Sequence, residues 1–324
     1  MITRRSFAVR TLAAAVSAGL VKTNVLAQNS SVQPSIDSTI DGILLGVQSA
    51  SFTFSGIGLI GIIETMRDVG LSTIDVMSEH VENFLGAPVR LPGEGRLGPW
   101  IPQPRPSPQG RASFPPQIDE EKRAALRTWR LSVDLERFRE VHAMFTVAGL
   151  NLFSYNLSFD DSFTDEEIER GFLMTEALGT RIITASSPLT IFPRLKPYAE
   201  RHNVVVALHN HTIGPDDFMR TVELSQKFWI NLDVGHFFAS GYDPVAFIDE
   251  HSARITNLHI KDRKKDNGDS VPFGDGDTPL PAVFHLLKMK HLTMPACIEY
   301  VGAAGPAIEL ASCRQYCKDT IKNV

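Results

Sequence analysis

The second half of the chain contains four apolar segments that each end in polar residues: VVVALHNHT at 204–212, WINLDVGHF at 229–237, RITNLHIKD at 254–262 and PACIEYVG at 295–302. Continuous apolar runs of this length are typical of parallel strands that are buried on both faces. Neighbouring parallel strands end at the same edge of a sheet. We therefore expect the polar residues at these four ends to meet around one point.

The residue types at these ends suit a divalent metal ion. They are His209, Asn210, His211, Asp233, His236, His259, Lys261 and Glu299. Imidazole and carboxylate ligands together favour zinc, manganese, iron or cobalt over magnesium and calcium. A single strand-end histidine is more often a hydrogen-bonded structural residue, and a single aspartate there often caps a helix. Four such ends in consecutive units favour a metal site, with manganese, zinc or cobalt as the expected ion.

Strand and helix patterns alternate along the whole chain. Further strands are predicted at 43–48, 71–77, 150–156 and 181–185, and helices at 57–69, 119–148, 164–178, 190–202, 215–226, 243–251, 280–288 and 306–322. Strict alternation implies parallel pairing, and eight units in about 300 residues is the size of a (β/α)8 TIM barrel. The alternative is an open doubly wound sheet, but no glycine-rich dinucleotide fingerprint follows the first strand. We predict a single TIM-barrel domain over residues 28–324.

The first 27 residues have the pattern of an export signal. Arg4 and Arg5 form a twin arginine, an apolar segment follows at 12–21, and residues 25–27 supply a cleavage site. This pattern predicts a Tat signal and a periplasmic or otherwise exported protein, with an ordinary Sec signal as the alternative. The apolar segment is too short to span a bilayer, and no other segment is long enough, so we expect no membrane span.

Charge and cysteine content narrow the range of partners. The formal net charge is −5, and removal of the signal with its four cations would make it −9. An acidic surface repels phosphate backbones, so we expect no nucleic-acid partner. Cys297, Cys313 and Cys317 form no disulfide framework. The last two are four residues apart on the final predicted helix, where buried packing is favoured over a disulfide. The sequence is compatible with a homo-oligomer.

A segment dense in proline and glycine, residues 86–117, includes Trp100. A loop this long in a compact domain is usually functional or disordered. Since it would lie beside the mouth of the barrel, we interpret it as a substrate-covering loop, with a flexible insertion as the alternative. Trp100, and His80 after the second strand, are predicted substrate contacts, and a solvated loop is the alternative for His80.

The motifs around the four strand ends resemble those of the sugar phosphate isomerase/epimerase family. These xylose-isomerase-like barrels also include inosose dehydratases, ketose 3-epimerases and, more distantly, endonuclease IV. The motifs are His-Asn-His at 209–211, Leu-Asp-x-Gly-His at 232–236, His-Ile-Lys-Asp at 259–262 and Ile-Glu-Tyr at 298–300. The resemblance covers most of the chain and is sharpest in its second half. It implies a TIM barrel with metal-dependent chemistry on a small sugar.

The resemblance also implies roles for individual residues. In the epimerases that this chain resembles, a Glu, an Asp, a His and a Glu on strands five to eight hold the metal. The matching positions here are His209, Asp233, His259 and Glu299. The two glutamates of those epimerases are also their acid/base pair, so His209 departs from the pattern and changes the expected proton chemistry. His236 matches the family's substrate-contacting histidine.

Side-chain direction indicates which residues act together. His209 and His211 are two apart on a strand and face the same side, as do His259 and Lys261. We expect one histidine of each pair to hold the metal while its partner meets the substrate. Lys261 would stabilise an enolate or a sugar oxygen as a substrate contact, and an exposed strand-end lysine is the alternative. The predicted catalytic residues are His211, His236, Lys261 and Glu299.

Together these features predict a metal-dependent isomerase or epimerase. It would act on a non-phosphorylated keto sugar or polyol through an enediolate, because export disfavours sugar phosphates. The alternative is dehydration or cleavage of an inosose or a 3-keto-glycoside by a lyase or hydrolase reaction at the same site. Two other classes are a non-catalytic carbohydrate-binding barrel and a metal-dependent endonuclease. Intact Asp233, His259 and Glu299 disfavour the first, and the acidic charge disfavours the second.

Overall fold

Eight apolar segments form parallel strands in the computed structural model, which describes residues 33–93, 120–211 and 213–324. The strands are β1 (Ile43–Gln48), β2 (Thr73–Met77), β3 (Asn151–Asn156), β4 (Ile182–Ala185), β5 (Val205–His209), β6 (Phe228–Asp233), β7 (Ile255–Ile260) and β8 (Ala296–Ile298). Each strand pairs with the next, and β1 closes the barrel against β8, with Leu45 opposite Ala296. A two-residue strand, Thr39–Ile40, adds an antiparallel hairpin to β1. The prediction of a (β/α)8 TIM barrel is confirmed.

Helices carry the chain back between successive strands. They are α1 (Leu59–Val69), α2 (Ser78–Phe84), α3 (Glu120–Ser132), α4 (Glu136–Val147), α5 (Asp165–Ala177), α6 (Phe192–His202), α7 (Pro215–Val222), α8 (Val234–Ala239), α9 (Pro244–His251), α10 (Leu280–Met289) and α11 (Pro306–Asn323). The predicted start of α5 is confirmed, because Thr164 caps it by accepting a hydrogen bond of 3.2 Å from the backbone N–H of Glu167. Gly70 ends α1 in the left-handed conformation that glycine adopts without strain (φ 77°).

Two features of the helical layer differ from the prediction. The helix expected at 119–148 is broken into α3 and α4, because Asp134 accepts a hydrogen bond of 2.9 Å from the backbone N–H of Glu136 and so restarts the helix. Two short helices, α2 and α8, directly follow β2 and β6 where no helix was predicted. Asp233 at the end of β6 caps α8, and this cap places α8 at the carboxyl end of the barrel.

The strand register brings the polar strand ends to one edge. His209 pairs with Asn231, Asp233 with His259, and Ile260 with Ile298, so that Glu299 follows at the same level. Every residue of β7 is buried. The barrel therefore gathers the polar residues of these strand ends at its carboxyl edge, where TIM barrels carry their sites.

Part of the sequence-based interpretation lies outside the described residues. The export signal at 1–27, Trp100 and all of the proline-rich loop beyond residue 93 belong to this group. Their assignments, and the domain limits 28–324, stay predictions. Among the described helices, none is both long enough and apolar enough to cross a membrane.

Candidate metal centre

Four side chains from four consecutive strands converge inside the carboxyl end of the barrel. They are His209 from β5, Asp233 from β6, His259 from β7 and Glu299 just after β8, and each offers one ligand atom within 4.8 Å of the others. The first three are buried, and the side chain of Glu299 is 16% exposed. Two imidazoles and two carboxylates at this spacing are a donor set that suits zinc, manganese or cobalt.

His259 is held in the orientation of a metal ligand by a residue across the barrel. Its Nε2 lies 2.9 Å from Oδ2 of Asp75 in β2. Asp75 is fixed in turn by Gln48 at 2.9 Å and Thr184 at 2.8 Å. A histidine that donates one ring N–H to a carboxylate presents its other nitrogen to a metal. The Nδ1 atom of His259 therefore faces the other ligands of the set, and a metal ion that displaces its proton would bind there.

His209 is oriented in the same manner by a different neighbour. Its Nδ1 lies 2.8 Å from Oδ1 of Asn231, whose amide also approaches the carbonyl of Asn257 at 3.4 Å. Burial holds the pKa of His209 well below its ordinary value, and the nearby His259 and His211 add to this effect. The ring is therefore neutral, with Nε2 free to bind an ion.

Two atoms of the set are buried without a well-aligned hydrogen bond: Oδ2 of Asp233 and Nδ1 of His259. Each has a charged neighbour, since Lys261 Nζ lies 3.1 Å from the first and Glu299 Oε2 lies 3.0 Å from the second. Buried polar atoms that lack hydrogen bonds are rare and require an explanation such as an ion. Both atoms fit ligands of a cation placed among them.

The pKa shifts of His259 and Asp233 indicate that the electrostatic environment of the set favours a positive charge. Burial lowers the pKa of His259, but the carboxylates of Asp75 and Glu299 outweigh it and raise that pKa to about 9. Burial would raise the pKa of Asp233, but the Lys261 ammonium overcomes this effect and holds it at about 2. The carboxylates of Asp75, Asp233 and Glu299 thus face two cations, the Lys261 ammonium and the His259 imidazolium. A divalent ion that displaces the His259 proton would balance the three carboxylates together with Lys261.

A second group of possible ligands shares one histidine with the first. His209, His211 and His236 also place ring nitrogens within 4.8 Å of one another. The two groups exclude each other, because Asn231 occupies Nδ1 of His209 and the remaining Nε2 has a single lone pair. In His236 both ring nitrogens face cations. The donor set formed by His209, Asp233, His259 and Glu299 is therefore the better metal centre.

Lys261 bridges this centre and the barrel mouth. Its Nζ lies 2.7 Å from Glu299 Oε1 and 3.0 Å from His236 Nε2, and the residue is 6% exposed. Burial lowers the pKa of Lys261, but Asp233 and Glu299 outweigh it and raise the value. Lys261 is therefore a buried ammonium and not an exposed strand-end lysine. Its contact with Glu299, like that of His259, shows that residues 259 and 261 share one strand face as expected.

The glycine of the Asp-x-Gly-His motif is required by close packing. A Cβ atom at Gly235 would lie 2.5 Å from the carbonyl oxygen of Lys261. Asn210 adds a second tie, since its side chain bonds both the N–H and the carbonyl of Asp233 at 2.8 and 3.1 Å. These contacts fix α8, and with it His236, against the end of β7.

The remaining predicted site residues occupy different places. The rings of His209 and His211 lie 4.9 Å apart, which confirms that they share a face, and His211 is exposed at the mouth. His236 lies 5.0 Å from His211, and burial lowers its pKa to about 4. His80 is fully buried, with Nδ1 3.1 Å from the hydroxyl of Ser49, so it exposes no surface to a substrate here.

Sequence reasoning missed Asp75 and Asn231. Both are polar residues inside otherwise apolar strands, TIDVM at 73–77 and FWINLD at 228–233. Burying such a side chain in a strand costs free energy unless it is hydrogen-bonded. A polar residue inside a buried strand is therefore the signal that could have revealed both residues.

Comparison with known protein families identifies a family that this chain matches. The chain matches the family model described as xylose isomerase-like TIM barrel over residues 107–314. A search of curated proteins finds no match.

Solved structures of low sequence identity have the same fold. The probable 3-DHS dehydratase AsbF of Bacillus anthracis, involved in petrobactin synthesis, is 14% identical, with a TM-score of 0.60 over 84% of this chain and 98% of that one. The IolI protein with a bound zinc atom is 14% identical, with a TM-score of 0.60 over 87% and 99%. An L-ribulose 3-epimerase is 13% identical, with a TM-score of 0.55 over 87% and 95%. The barrel and the family match together show that this chain belongs to the xylose isomerase-like TIM barrel family.

Proposed function

We propose that this protein is a metal-dependent enzyme that removes the proton beside a carbonyl group of a non-phosphorylated keto sugar or polyol, and so isomerises or epimerises it. The observation that carries the proposal is the convergence of His209, Asp233, His259 and Glu299 beneath a rim formed by His211, His236 and Lys261. A bound divalent ion at the four ligands would polarise the carbonyl as a Lewis acid.

Glu299 is suited to accept the substrate proton. Burial would raise its pKa, but Lys261 and His259 outweigh this effect and hold the pKa well below the ordinary value. The group is therefore an ionised carboxylate at neutral pH, with a side chain that stays 16% exposed toward the mouth. When the C–H bond breaks, its electron pair forms a C=C bond to the carbonyl carbon, the π pair of the C=O bond moves to the oxygen to give an enediolate, and the proton passes to Glu299.

His211 is suited to supply a proton on the other side of the substrate. It is exposed at the mouth, and its ring lies 4.9 and 5.0 Å from those of His209 and His236. The related epimerases use two glutamates, whereas this chain has a histidine at position 209 whose free nitrogen is directed into the metal set. We assign the second acid/base role to His211, whose pKa burial lowers so that the resting ring is neutral. After taking a proton from solvent, His211 delivers it to the opposite face of the carbon that lost one, as the enediolate oxygen reforms the carbonyl.

A second candidate reaction is β-elimination at the same site. His209 replaces one of the two expected carboxylates, and His211 in its imidazolium form can protonate a leaving oxygen, which an ionised carboxylate cannot do. The C–H bond would break as before, and the C–O bond at the β-carbon would then break with a proton delivered to the leaving group. This version would dehydrate an inosose or cleave a 3-keto-glycoside.

The absence of a phosphate on the substrate rests on two arguments. With a divalent ion bound, the three carboxylates around the metal set are balanced by that ion and Lys261, which leaves no excess positive charge in the set to hold a phosphate. The twin-arginine pattern supports a location outside the cytoplasm, away from most sugar phosphates.

Proton exchange in heavy water tests the proposal without a known product. Purified protein reconstituted with manganese, zinc or cobalt is incubated with ketopentoses, ketohexoses, inosose and 3-keto-glycosides, and deuterium incorporation at carbon is followed by NMR and mass spectrometry. Isomerisation gives a product of unchanged composition, whereas elimination releases water or the aglycone.

Matched variants make the outcome specific to the site. Asp233→Asn should abolish exchange, while Asp216→Asn, which removes an exposed carboxylate from α7, should not change it. Absence of exchange or turnover on every substrate with metal-loaded, folded protein would overturn the proposed function. Exchange that is equally fast in Asp233→Asn would place the chemistry elsewhere.

A further inference from the structure

His236 lies between two cationic side chains that both approach its ring nitrogens. Nη1 of Arg263 lies 2.6 Å from Nδ1, and Nζ of Lys261 lies 3.0 Å from Nε2. In their charged forms both partners can donate hydrogen bonds but cannot accept them, and arginine stays charged at every accessible pH. A neutral imidazole offers one acceptor nitrogen and one N–H, so it satisfies only one of these two donors.

The rigid partner is Arg263. Its Nε donates to the carbonyl of Gly268 at 3.0 Å, and its backbone N–H donates to Thr278 Oγ1 at 3.0 Å. Asp262 holds the surrounding loop by accepting from the backbone N–H groups of Gly274 and Gly276 at 2.9 and 3.0 Å. The guanidinium therefore has a fixed plane, with Nη1 aimed at His236.

Lys261 is the adaptable partner. Its ammonium donates to Glu299 Oε1 at 2.7 Å, forms an ion pair with Asp233 Oδ2 at 3.1 Å, and rotates about a flexible stem. The conflict is resolved when Nδ1 of His236 accepts from Arg263 and Nε2 carries the proton. The imidazolium form is disfavoured, since it would turn an N–H toward the guanidinium.

We propose that Arg263 is a positioning residue that holds His236 as the Nε2–H tautomer, so that His236 and Lys261 donate together to one oxygen of the substrate. In this arrangement the Nε2–H and the ammonium share one nearby acceptor, Oδ2 of Asp233, at 3.7 and 3.1 Å. A metal ion held by Asp233 would engage that oxygen. A substrate oxygen seated against both would accept both hydrogen bonds and would be stabilised as it becomes negative. The part that concerns substrate rests on the proposed function, and it makes His236 a donor and not the base.

The tautomer is measured directly by NMR. Protein carrying 15N-labelled histidine and bound zinc, which is diamagnetic, gives two-bond 15N–1H patterns that separate Nε2–H from Nδ1–H and from imidazolium. His236→Gln identifies the resonance of residue 236. We expect the Nε2–H pattern in the wild type, a shift toward Nδ1–H in Arg263→Met, and recovery of Nε2–H in Arg263→Lys, since lysine also donates.

A control on the same loop separates this effect from loop disturbance. Lys265→Met removes an exposed cation of the loop and should leave the His236 pattern unchanged. A wild-type spectrum with Nδ1–H or imidazolium at His236 overturns the proposal, even if Arg263→Met fails to fold. An unchanged tautomer in folded Arg263→Met overturns it as well.

Turnover provides a second measurement, which tests the catalytic use of His236 separately from its tautomer. With a substrate found by deuterium exchange, Arg263→Met should lower kcat by about 10²-fold, the loss typical of one oxyanion donor, with little change in KM. Arg263→Lys should regain part of kcat. If the wild type has the Nε2–H tautomer but catalyses no exchange, the proposed function alone is rejected. Normal kcat in Arg263→Met with an altered tautomer would reject the catalytic use of His236.

Discussion

Oδ2 of Asp75 and Nε2 of His259 lie 2.9 Å apart across the barrel, although the residues are 184 positions apart in the chain. β2 and β7 are not neighbours in the sheet, so the bond crosses the interior. It fixes which nitrogen of His259 is available to a metal, and Gln48 and Thr184 donate two further hydrogen bonds to Asp75.

Asp75→Asn should weaken metal binding without removing a ligand. The neutral amide of asparagine binds the His259 ring more weakly than a carboxylate does. Loss of such a partner typically lowers metal affinity by about 10- to 100-fold. Zinc affinity is measured by competition with a chelator. Asp216→Asn, an exposed change of the same kind, is the control, and equal affinity in both variants would show that the pair does not support the metal.

The sequence allowed prediction of those parts of the site that depend on strand periodicity. His209 and His211 share a face, as do His259 and Lys261, because strand side chains alternate with a period of two. Strand ends meet at one edge because parallel strands have a common direction. These relations are local to one strand or to its neighbour, and the structure has them as expected.

Contacts across the barrel could not be predicted in this way. The partner of His259 depends on how closure and shear set β2 opposite β7, and no pattern around Asp75 contains that information. The two-sided approach to His236 depends on the fold of the loop after Asp262. The break between α3 and α4 was missed because one side-chain cap at Asp134 outweighs continuous helical periodicity.

His209 and His211 should separate metal binding from proton transfer. His209→Ala removes a ligand and should lower metal affinity by about 10- to 100-fold or more, whereas His211→Ala should keep the metal and lower turnover by about 10²–10⁴-fold. His209→Glu should retain the metal, because Asn231 can turn its amide to donate to a carboxylate. Metal content is read by elemental analysis, and a metal loss that follows His211 instead of His209 would contradict the assignment.

The three cysteines should be unreactive in the folded protein. Cys297, Cys313 and Cys317 are buried free thiols, and burial raises the pKa of Cys313 to about 12. The thiolate is the reactive form, so iodoacetamide near pH 8 should label none of them in native protein and all three in urea. Mass spectrometry counts the labels, and one rapidly labelled thiol in the native protein would contradict the expected packing role.

Arg130 should be important for stability although it is remote from the metal set. The residue is 7% exposed, and its guanidinium donates to both oxygens of Glu82 at 2.8 and 3.0 Å and to Glu167 at 3.0 Å. Arg130→Met leaves the buried Glu82 without its cation, which typically costs about 3–5 kcal/mol of unfolding free energy. Urea denaturation measures it. The control is Arg139→Met, which breaks an exposed pair with Glu136 and should change stability by less than about 1 kcal/mol.

The pH dependence of the Arg130→Met variant checks the cause of that loss. Burial raises the pKa of Glu82 and Arg130 lowers it, so the variant should have a still higher folded-state pKa at Glu82. A carboxyl whose pKa is raised on folding contributes stability below its unfolded pKa, about 4.5, and loses it as the pH rises toward the folded value. The stability difference between wild type and variant should therefore be smallest near pH 4.5 and should widen toward pH 7. Adding Glu82→Gln to the variant should remove this widening, because the amide does not ionise. A difference that stays constant over this range would assign the loss to packing of the arginine stem instead of to the unpaired charge.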